Sequence, residues 1–441
     1  MKQLIISLVI LFKTATLCNA QFLVASELAN LPEPVSNNAV VEGWANDTAY
    51  VYSFGGIDST KLWSGIHLKS WRYNTITDVW DTIPSLPDTL GKIAMAASWV
   101  DSIIYIIGGY HVYANSNEAS SAKVHRFDPK TNTYLPDGAD IPVPIDDHVQ
   151  AVWNDSLIYV ITGWSNTGNV PNVQIYDPAN DQWLAGTPVP NNNSYKAFGA
   201  SGTIKGDTIY YHGGASNGFN FPGQSSLRMG IINPNDPTQI TWSIHTGLNP
   251  QVSYRSVLLF DYYVNALYCL GGASKTYNYD GIAYNGSGGV NPRDSALLCD
   301  TSGTNSVYIY DNFFNITKLP MDLRGYGQLP YGELIIAGGM LDNQVVSNKT
   351  YVISFLYSGI EEQENALFTY FPNPASDQVT IQFKTSENRR IQFLDALGKE
   401  LLQFTSSKTT EEINSSNYPK GLYFLRVTTE QGSSTQKIII Q

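Results

Sequence analysis

The sequence predicts an all-β protein: a closed ring of six small sheets followed by a small β-sandwich. Three observations carry this. Gly-Gly recurs behind a short β-rich run, in YVYSFGG, IIYIIGG, TIYYHGG, LYCLGG and LIIAGG, with LIYVITG as a sixth copy. The first positions are Gly55, Gly108, Thr162, Gly213, Gly271 and Gly338, and a recurrence of roughly 50 residues is the mark of repeated sheets. Aromatic residues make up 12% of the chain and charged residues 15%, with 36 Gly beside 22 Pro, which suits short strands joined by turns. No long segment has the helical period.

Residues 1–20 read as a secretory signal. Lys2 gives the positive start, LIISLVILF the apolar stretch and Cys18-Asn19-Ala20 the small-x-small cleavage site. Lys13 interrupts the apolar stretch well short of the roughly 20 residues a membrane span needs. Leu17-Cys18 hints at a lipoprotein, but Ala15 and Thr16 fit that pattern poorly. The mature chain then has no transmembrane segment and keeps Cys269 and Cys299 of the 3 cysteines. Outside the cell these two could join in a disulfide that pins the long loop between them, or Cys269 could be a buried thiol.

Each repeat runs in one order. A small apolar strand precedes a turn such as Asp101-Ser102 or Gly206-Asp207, and the strand ending in Gly-Gly follows. After a variable loop come a third strand with an aromatic-Asp-Pro close, a second aromatic further on, and a Leu-Pro or Val-Pro element. Tyr73 with Trp80, Phe127-Asp128-Pro129 with Tyr134, and Tyr176-Asp177-Pro178 with Trp183 show it. Asp-Pro is turn chemistry, and the aromatics can pack between neighbouring sheets. Over residues 22–358 the chain resembles the kelch-repeat family, whose unit is a blade of a β-propeller, here six-bladed. The pattern weakens at Ile232…Trp242 and at Tyr310, which lacks an aromatic partner. Leu31-Pro32 matches Leu86-Pro87, and the last strand, YVISF at 351–355, has no successor. The N-terminal strand is therefore expected to complete blade six and to remove the open edge.

The propeller is expected to occupy 21–358 and a linker 359–366, which takes in most of the polar stretch SGIEEQEN. Residues 367–441 alternate apolar and polar positions in VTIQF, IQFLD and LYFLRV, as strands of an Ig-like sandwich do. Pro372-Asn373-Pro374, Asp395-x-x-Gly398-Lys399, Gly421-Leu422-Tyr423 and Lys437 resemble the C-terminal sorting domain of the type IX secretion system of Bacteroidota. That resemblance implies the secretion machinery as partner, passage across the outer membrane, and release or attachment at the cell surface.

The formal charge is −12, and loss of Lys2 and Lys13 makes it −14, which argues against nucleic acid as partner. Counting back from each Gly-Gly to the start of the first strand gives Asn38, Lys92, His148, Lys196, Arg255 and Arg324. A propeller's first strands line its channel, so these six are expected at one channel mouth. Residues 21–360 hold 16 Lys and Arg against 28 Asp and Glu, and a basic ring on so acidic a body would collect an anionic glycan or an acidic peptide. Alternatively, these residues pair with turn carboxylates such as Asp146 and Asp147. Kelch domains that bind acidic peptides and the kelch-like N-acetylneuraminate epimerase resemble this arrangement. Trp63, Tyr110, Trp164, Phe219 and Tyr277, in the loops after Gly-Gly, should face the same mouth, with Tyr279 and Tyr284 further along the longest loop, 273–306.

There is no Gly-x-Ser-x-Gly elbow, His-Glu-x-x-His pair or phosphate-cradling loop. The six histidines are scattered, so neither a metal site nor a cofactor is expected. An exported binding module is the first reading. A cofactor-independent mutarotase or epimerase of an anionic sugar is the second, with His148, Arg255 and Arg324 as candidates and Glu42 or Glu333 as an acid near the channel. A purely structural surface protein is the third.

Overall fold

A computed structural model describes residues 20–245, 251–261, 265–277, 289–300, 307–310, 318–329, 332–358, 367–395, 399–429 and 432–440. Residues 1–19 of the proposed signal and the linker, together with Tyr279 and Tyr284, lie outside the described residues. The chain divides into two compact units, 1–357 and 358–441.

In the first unit six sheets of four principal strands surround an axis. From the axis outward, blade one is Ala39–Ala45, Thr48–Ile57, Ile66–Asn74 and Val79–Ile83. The inner strands of blades two to six are Ile93–Val100, Val149–Trp153, Phe198–Lys205, Val257–Asp261 and Arg324–Gln328. Ala20–Leu28 lies outermost in blade six, beside Thr350–Ser358. Trp80 Nε1 donates to the Ala29 carbonyl at 3.0 Å and Leu31 N to Asn348 O at 2.8 Å, so the amino-terminal segment is held from both neighbouring blades. Ring closure leaves no inner strand edge to recruit another chain.

The Gly-Gly repeat has a specific task here. The amide of the second glycine donates to a carbonyl at the entry of the next blade: Gly56 to Lys92, Gly109 to Ile145, Gly214 to Ser253, Gly272 to Pro320 and Gly339 to Val35, at 2.7–3.1 Å. The first glycine must then lie flat on that entry. At Gly213, with φ +72°, an added Cβ would fall 2.0 Å from Ser253 O, which no side chain tolerates. In blade three Thr162 provides the clasp differently, its Oγ1 accepting from Ala197 N at 3.1 Å.

The aromatic pairs join the blades. Tyr73 meets Trp80 at 5.4 Å, Phe127 meets Tyr134 at 5.0 Å and Tyr176 meets Trp183 at 5.0 Å between ring centroids. Trp183 Nε1 donates to Ala139 O and Trp242 Nε1 to Thr187 O, both on the preceding blade. Trp242 thus keeps the shared role although its spacing is irregular.

The second unit packs a sheet of Phe368–Phe371, Gln378–Phe383 and Thr410–Asn414 with another of Glu400–Ser406, Arg389–Asp395, Gly421–Thr429 and Gly432–Ile440. Val379, Ile381, Ile391, Phe393, Leu425, Val427 and Ile438 fill the space between them, as alternating strands of a sandwich require.

Candidate functional site

Each blade enters its inner strand through one residue in the left-handed conformation: Asn37, Ala94, Asp147, Gly199, Arg255 and Asp322, with φ between 45° and 65°. Their peptide groups form a closed cycle. Asn37 N donates to Asp322 O, Ala94 N to Asn37 O, Asp147 N to Ala94 O, Gly199 N to Asp147 O, Arg255 N to Gly199 O and Leu323 N to Arg255 O, at 2.8–3.4 Å. This ring draws the six entries together around the axis.

Buried charges fill its centre. Arg255 holds Asp147 with Nε and Nη2 at 3.2 and 2.6 Å, and Asp322 with Nη1 at 2.8 Å. Asp322 also accepts from Ser36 Oγ at 2.6 Å and Tyr277 OH at 3.3 Å. Tyr254 and Tyr277 place their rings 5.1 and 5.6 Å from the Arg255 guanidinium. Arg324 reaches across from blade six: Nη2 donates to His148 O at 2.8 Å, Nε to Met95 O at 3.4 Å, and Nη1 lies 3.5 Å from Asp147. Burial and then the charge of Asp147 push the Asp146 carboxyl well up, while Ser120 Oγ donates to it at 2.6 Å.

The six expected ring residues therefore do not form one basic ring. Arg255, Arg324 and His148 converge, but Asp147 and Asp322 offset the two arginines, so the alternative of pairing with turn carboxylates holds for Arg255. Asn38 is buried between blades one and six, donating to Ser53 Oγ and Ala337 O. Lys92 lies two residues before the ring position and turns away, with Nζ 2.5 Å from Asp88 and 3.0 Å from His125 Nε2. Lys196, half-buried, lies three residues before Gly199. The turns between first and second strands differ in length, so a count back from Gly-Gly drifts, whereas the left-handed residue marks the true register.

The loop face is sealed as well. Tyr110 and Tyr277 are buried in one apolar cluster with Phe198, Tyr254, Met321 and Met340, and Trp164 packs on its edge. Trp63 and Phe219 stay out, at 41% and 92% exposed. Among the loop aromatics, then, three of five support the closed end. Cys269 and Cys299 are free buried thiols, not a disulfide. They sit on adjacent strands, but Cys269 faces Leu297 and Cys299 faces Leu267, and such a diagonal of roughly 7–8 Å exceeds disulfide reach. Burial pushes the Cys299 thiol up to about 12.

Below the plug lies a channel of about 370 Å³, lined by the inner strands. Exposure rises along it: Arg255 and Asp322 are buried, Glu42 and Trp99 half-buried, Asp155 and Gln328 exposed. The channel thus opens at the end opposite the Gly-Gly loops. Its wall is polar. His148 Nε2 meets Gln150 Oε1 at 3.0 Å and Gln150 Nε2 donates to Ser98 Oγ at 2.9 Å. On the other side Ser201 Oγ and Ser256 Oγ are 3.1 Å apart. Burial and then Arg324 hold His148 down to about 3, so its imidazole is neutral. Glu42, which a count from Gly-Gly left out of the ring, accepts from Gln328 N at 3.0 Å, and burial raises its carboxyl. Glu333 instead accepts from Ser354 Oγ at 2.8 Å and is not in the channel wall. The open mouth is rimmed by acidic turns carrying Asp47, Asp101, Asp155 and Asp207. Among the described residues no helix is long and apolar enough to cross a membrane.

Six four-stranded blades, clasped through Gly-Gly, define the class: the chain is a kelch-repeat β-propeller protein, and its carboxy-terminal unit is a type IX secretion sorting domain. Residues 369–441 match the family described as secretion system C-terminal sorting domain, which marks the propeller for export to the cell surface or for release. Kelch-like protein 15 of Gallus gallus is 27% identical over 135 residues, 31% of this chain and 25% of that protein. Kelch-like protein terF of Aspergillus terreus is 30% identical over 201 residues, 43% of this chain and 40% of that one. The chain thus spans well under half the length of these relatives. A solved structure described as "Structure of YjhT" shares the fold at 15% identity with a TM-score of 0.56, covering 75% of this chain and all of that one.

Proposed function

We propose that the exported propeller is a binding module whose channel takes a small carbohydrate carrying one carboxylate. The observation that carries this is the channel wall: Ser98, Gln150, Ser201 and Ser256 offer hydroxyl and amide groups, and Arg324 lies at the closed end. Sugar hydroxyls match such a wall, and a guanidinium can hold a carboxylate with two hydrogen bonds. The acidic turns around the mouth disfavour an acidic peptide, which would present many charges to them, whereas a single carboxylate can pass. On this reading residues 1–20 direct the chain to the periplasm and the sorting domain takes it across the outer membrane. Saturation-transfer NMR with uronic and sialic acids, set against their neutral parent sugars, tests the channel. Contact with the acids that Gln150→Leu and Arg324→Gln both abolish is expected. Equal signals from wild type and both variants would remove the proposal.

One observation favours an enzymatic reading beside it. Glu42 lines the channel and burial raises its carboxyl, the direction of shift that favours a general acid. Such a group could open and close the ring of a bound sugar. Exchange spectroscopy on the anomers, with Glu42→Gln as control, decides it: a rate no faster than buffer leaves binding alone.

A further inference from the structure

On the closed face, the loops and entries of blades two to four leave a small cavity of about 30 Å³. It is lined by Tyr110, Glu118, Asp146, Asp147, Trp164 and Phe198, and it shares no lining residue with the channel.

The backbone pairing fixes how these groups face one another. Asp146 and Trp164 exchange both backbone hydrogen bonds, each at 2.9 Å, so their side chains leave the pair on one side. Ser120 Oγ donates to Asp146 at 2.6 Å. Glu118 lies two residues before it on the short strand Glu118–Ser120 and projects from the same side. Tyr110 pairs with Ser120 across that strand. The Phe198 ring stands edge-on to Trp164, with 5.4 Å between centroids.

Charge in this cavity is unevenly satisfied. Arg255 and Arg324 both hold Asp147. Asp146, 4% exposed, accepts one side-chain hydrogen bond, from Ser120, and among the described residues it makes no ion pair. Burial, then Asp147, raise its carboxyl; Glu118 adds to this, while Ser120 and Arg255 oppose it. A buried carboxylate without a counter-charge is costly, and this one borders a space walled by aromatic rings.

We propose that this cavity is a binding site for a primary ammonium group, held by Asp146 and Glu118 against the aromatic wall. The carboxylates supply charge-assisted hydrogen bonds, and aromatic rings stabilise a desolvated cation. One water needs about 10–15 Å³ of such space, so the cavity admits an ammonium head with its first carbon and excludes a sugar ring. Glu118 is exposed and Trp164 half-buried, so the head group enters from solvent at their edge. Its bearer is a free amine or the lysine side chain of a protein partner, and the ammonium chemistry is common to both. On binding, the cation takes the place of a proton on Asp146. The site does not depend on a channel ligand.

The test uses the full chain, methylammonium, and a Gly-Lys-Gly peptide blocked at both ends. The matching Gly-norleucine-Gly peptide is the neutral control. The indole N–H signal of Trp164, assigned with Trp164→Phe, reports binding by NMR. Saturable shifts are expected from at least one of the two cations and none from the norleucine peptide. Asp146→Asn should weaken binding roughly tenfold or more, and wild-type affinity should rise with pH as the competing proton is lost. Glu118→Gln alters only an exposed residue and should weaken binding roughly threefold or more, which keeps the test decisive if Asp146→Asn folds poorly. A response to methylammonium supports a free amine, and one to the lysine peptide alone supports a protein partner. Shifts from neither cation, or equal shifts from the lysine and norleucine peptides, overturn the proposal.

Discussion

Replacing Arg255 by methionine isolates the plug that closes the channel. The Arg255 and Asp322 side chains are 0% exposed and that of Asp147 is 3% exposed, with ion-pair distances of 2.6 and 2.8 Å. Removing one partner of such a pair costs about 3–5 kcal/mol, because the other charge stays buried. Two compensations remain: Arg324 lies 3.5 Å from Asp147, and Ser36 and Tyr277 still donate to Asp322. The loss should therefore sit near the lower end, about 3 kcal/mol. The backbone provides an internal control. Arg255 has φ +47°, a conformation that costs a side-chain-bearing residue roughly 1–2 kcal/mol. Methionine inherits this strain but fills the space between Tyr254 and Tyr277, whereas glycine relieves the strain and leaves a cavity there, so Arg255→Gly should be no more stable than Arg255→Met. Urea unfolding of the full chain, followed by tryptophan fluorescence, measures both. A methionine variant within about 1 kcal/mol of wild type would refute the assignment of Arg255 as the hub of the plug.

Gly213→Ala should lose roughly 2–5 kcal/mol, the sum of a left-handed backbone and an overpacked contact with Ser253 O. Gly206→Ala, at φ +53° with nothing within 4 Å, should lose only the backbone part, and equal losses in urea would contradict the clasp. His67, His148 and His212 are held down to about 4, 3 and 3, in each case mainly by burial. The native state binds their protons less readily than the unfolded state, so their stabilising contribution is complete above about pH 6.5 and falls as the pH drops toward 3. Urea midpoints should therefore decline from pH 7 to pH 4, with His148→Gln flattening the slope, and a midpoint that stays level would count against it. Deleting residues 367–441 should leave the propeller in the periplasm, as cell fractionation would show, and normal delivery to the surface would exclude the sorting role.

Much of the fold was legible because its repeat answers to one physical demand. Each Gly-Gly must lay its backbone against the entry of the next blade, and only glycine fits so close a contact with a left-handed backbone. The requirement therefore writes itself into the sequence at every turn of the ring. The Tyr73–Trp80 and Tyr176–Trp183 pairs were legible for a similar reason, since each tryptophan donates to a fixed carbonyl of the preceding blade. Thr162 shows the limit of this legibility. It keeps the clasp with a side-chain oxygen, and a pattern of glycines alone would have missed it.

The site was less legible because its register is set by conformation, not by residue type. Six left-handed positions define the closed end of the channel, yet Asn37, Ala94, Asp147, Gly199, Arg255 and Asp322 share no chemistry, so no motif reports them. Counting from Gly-Gly found Arg255 itself but displaced Lys92 and Lys196, and it passed over Asp147 and Asp322. That omission made a neutralised plug look like a basic ring, although pairing with Asp147 stood as the alternative. Glu42 lies further down its strand than the ring count reached, yet of the two acids expected near the channel it is the one in the wall. The consequence reaches function: with the Gly-Gly end closed by ion pairs and aromatic rings, a channel ligand has to enter past the acidic turns at the other end. On the proposed binding reading, selection there rests on the guanidinium of Arg324 and the hydroxyl and amide groups of the wall, not on long-range attraction of anions.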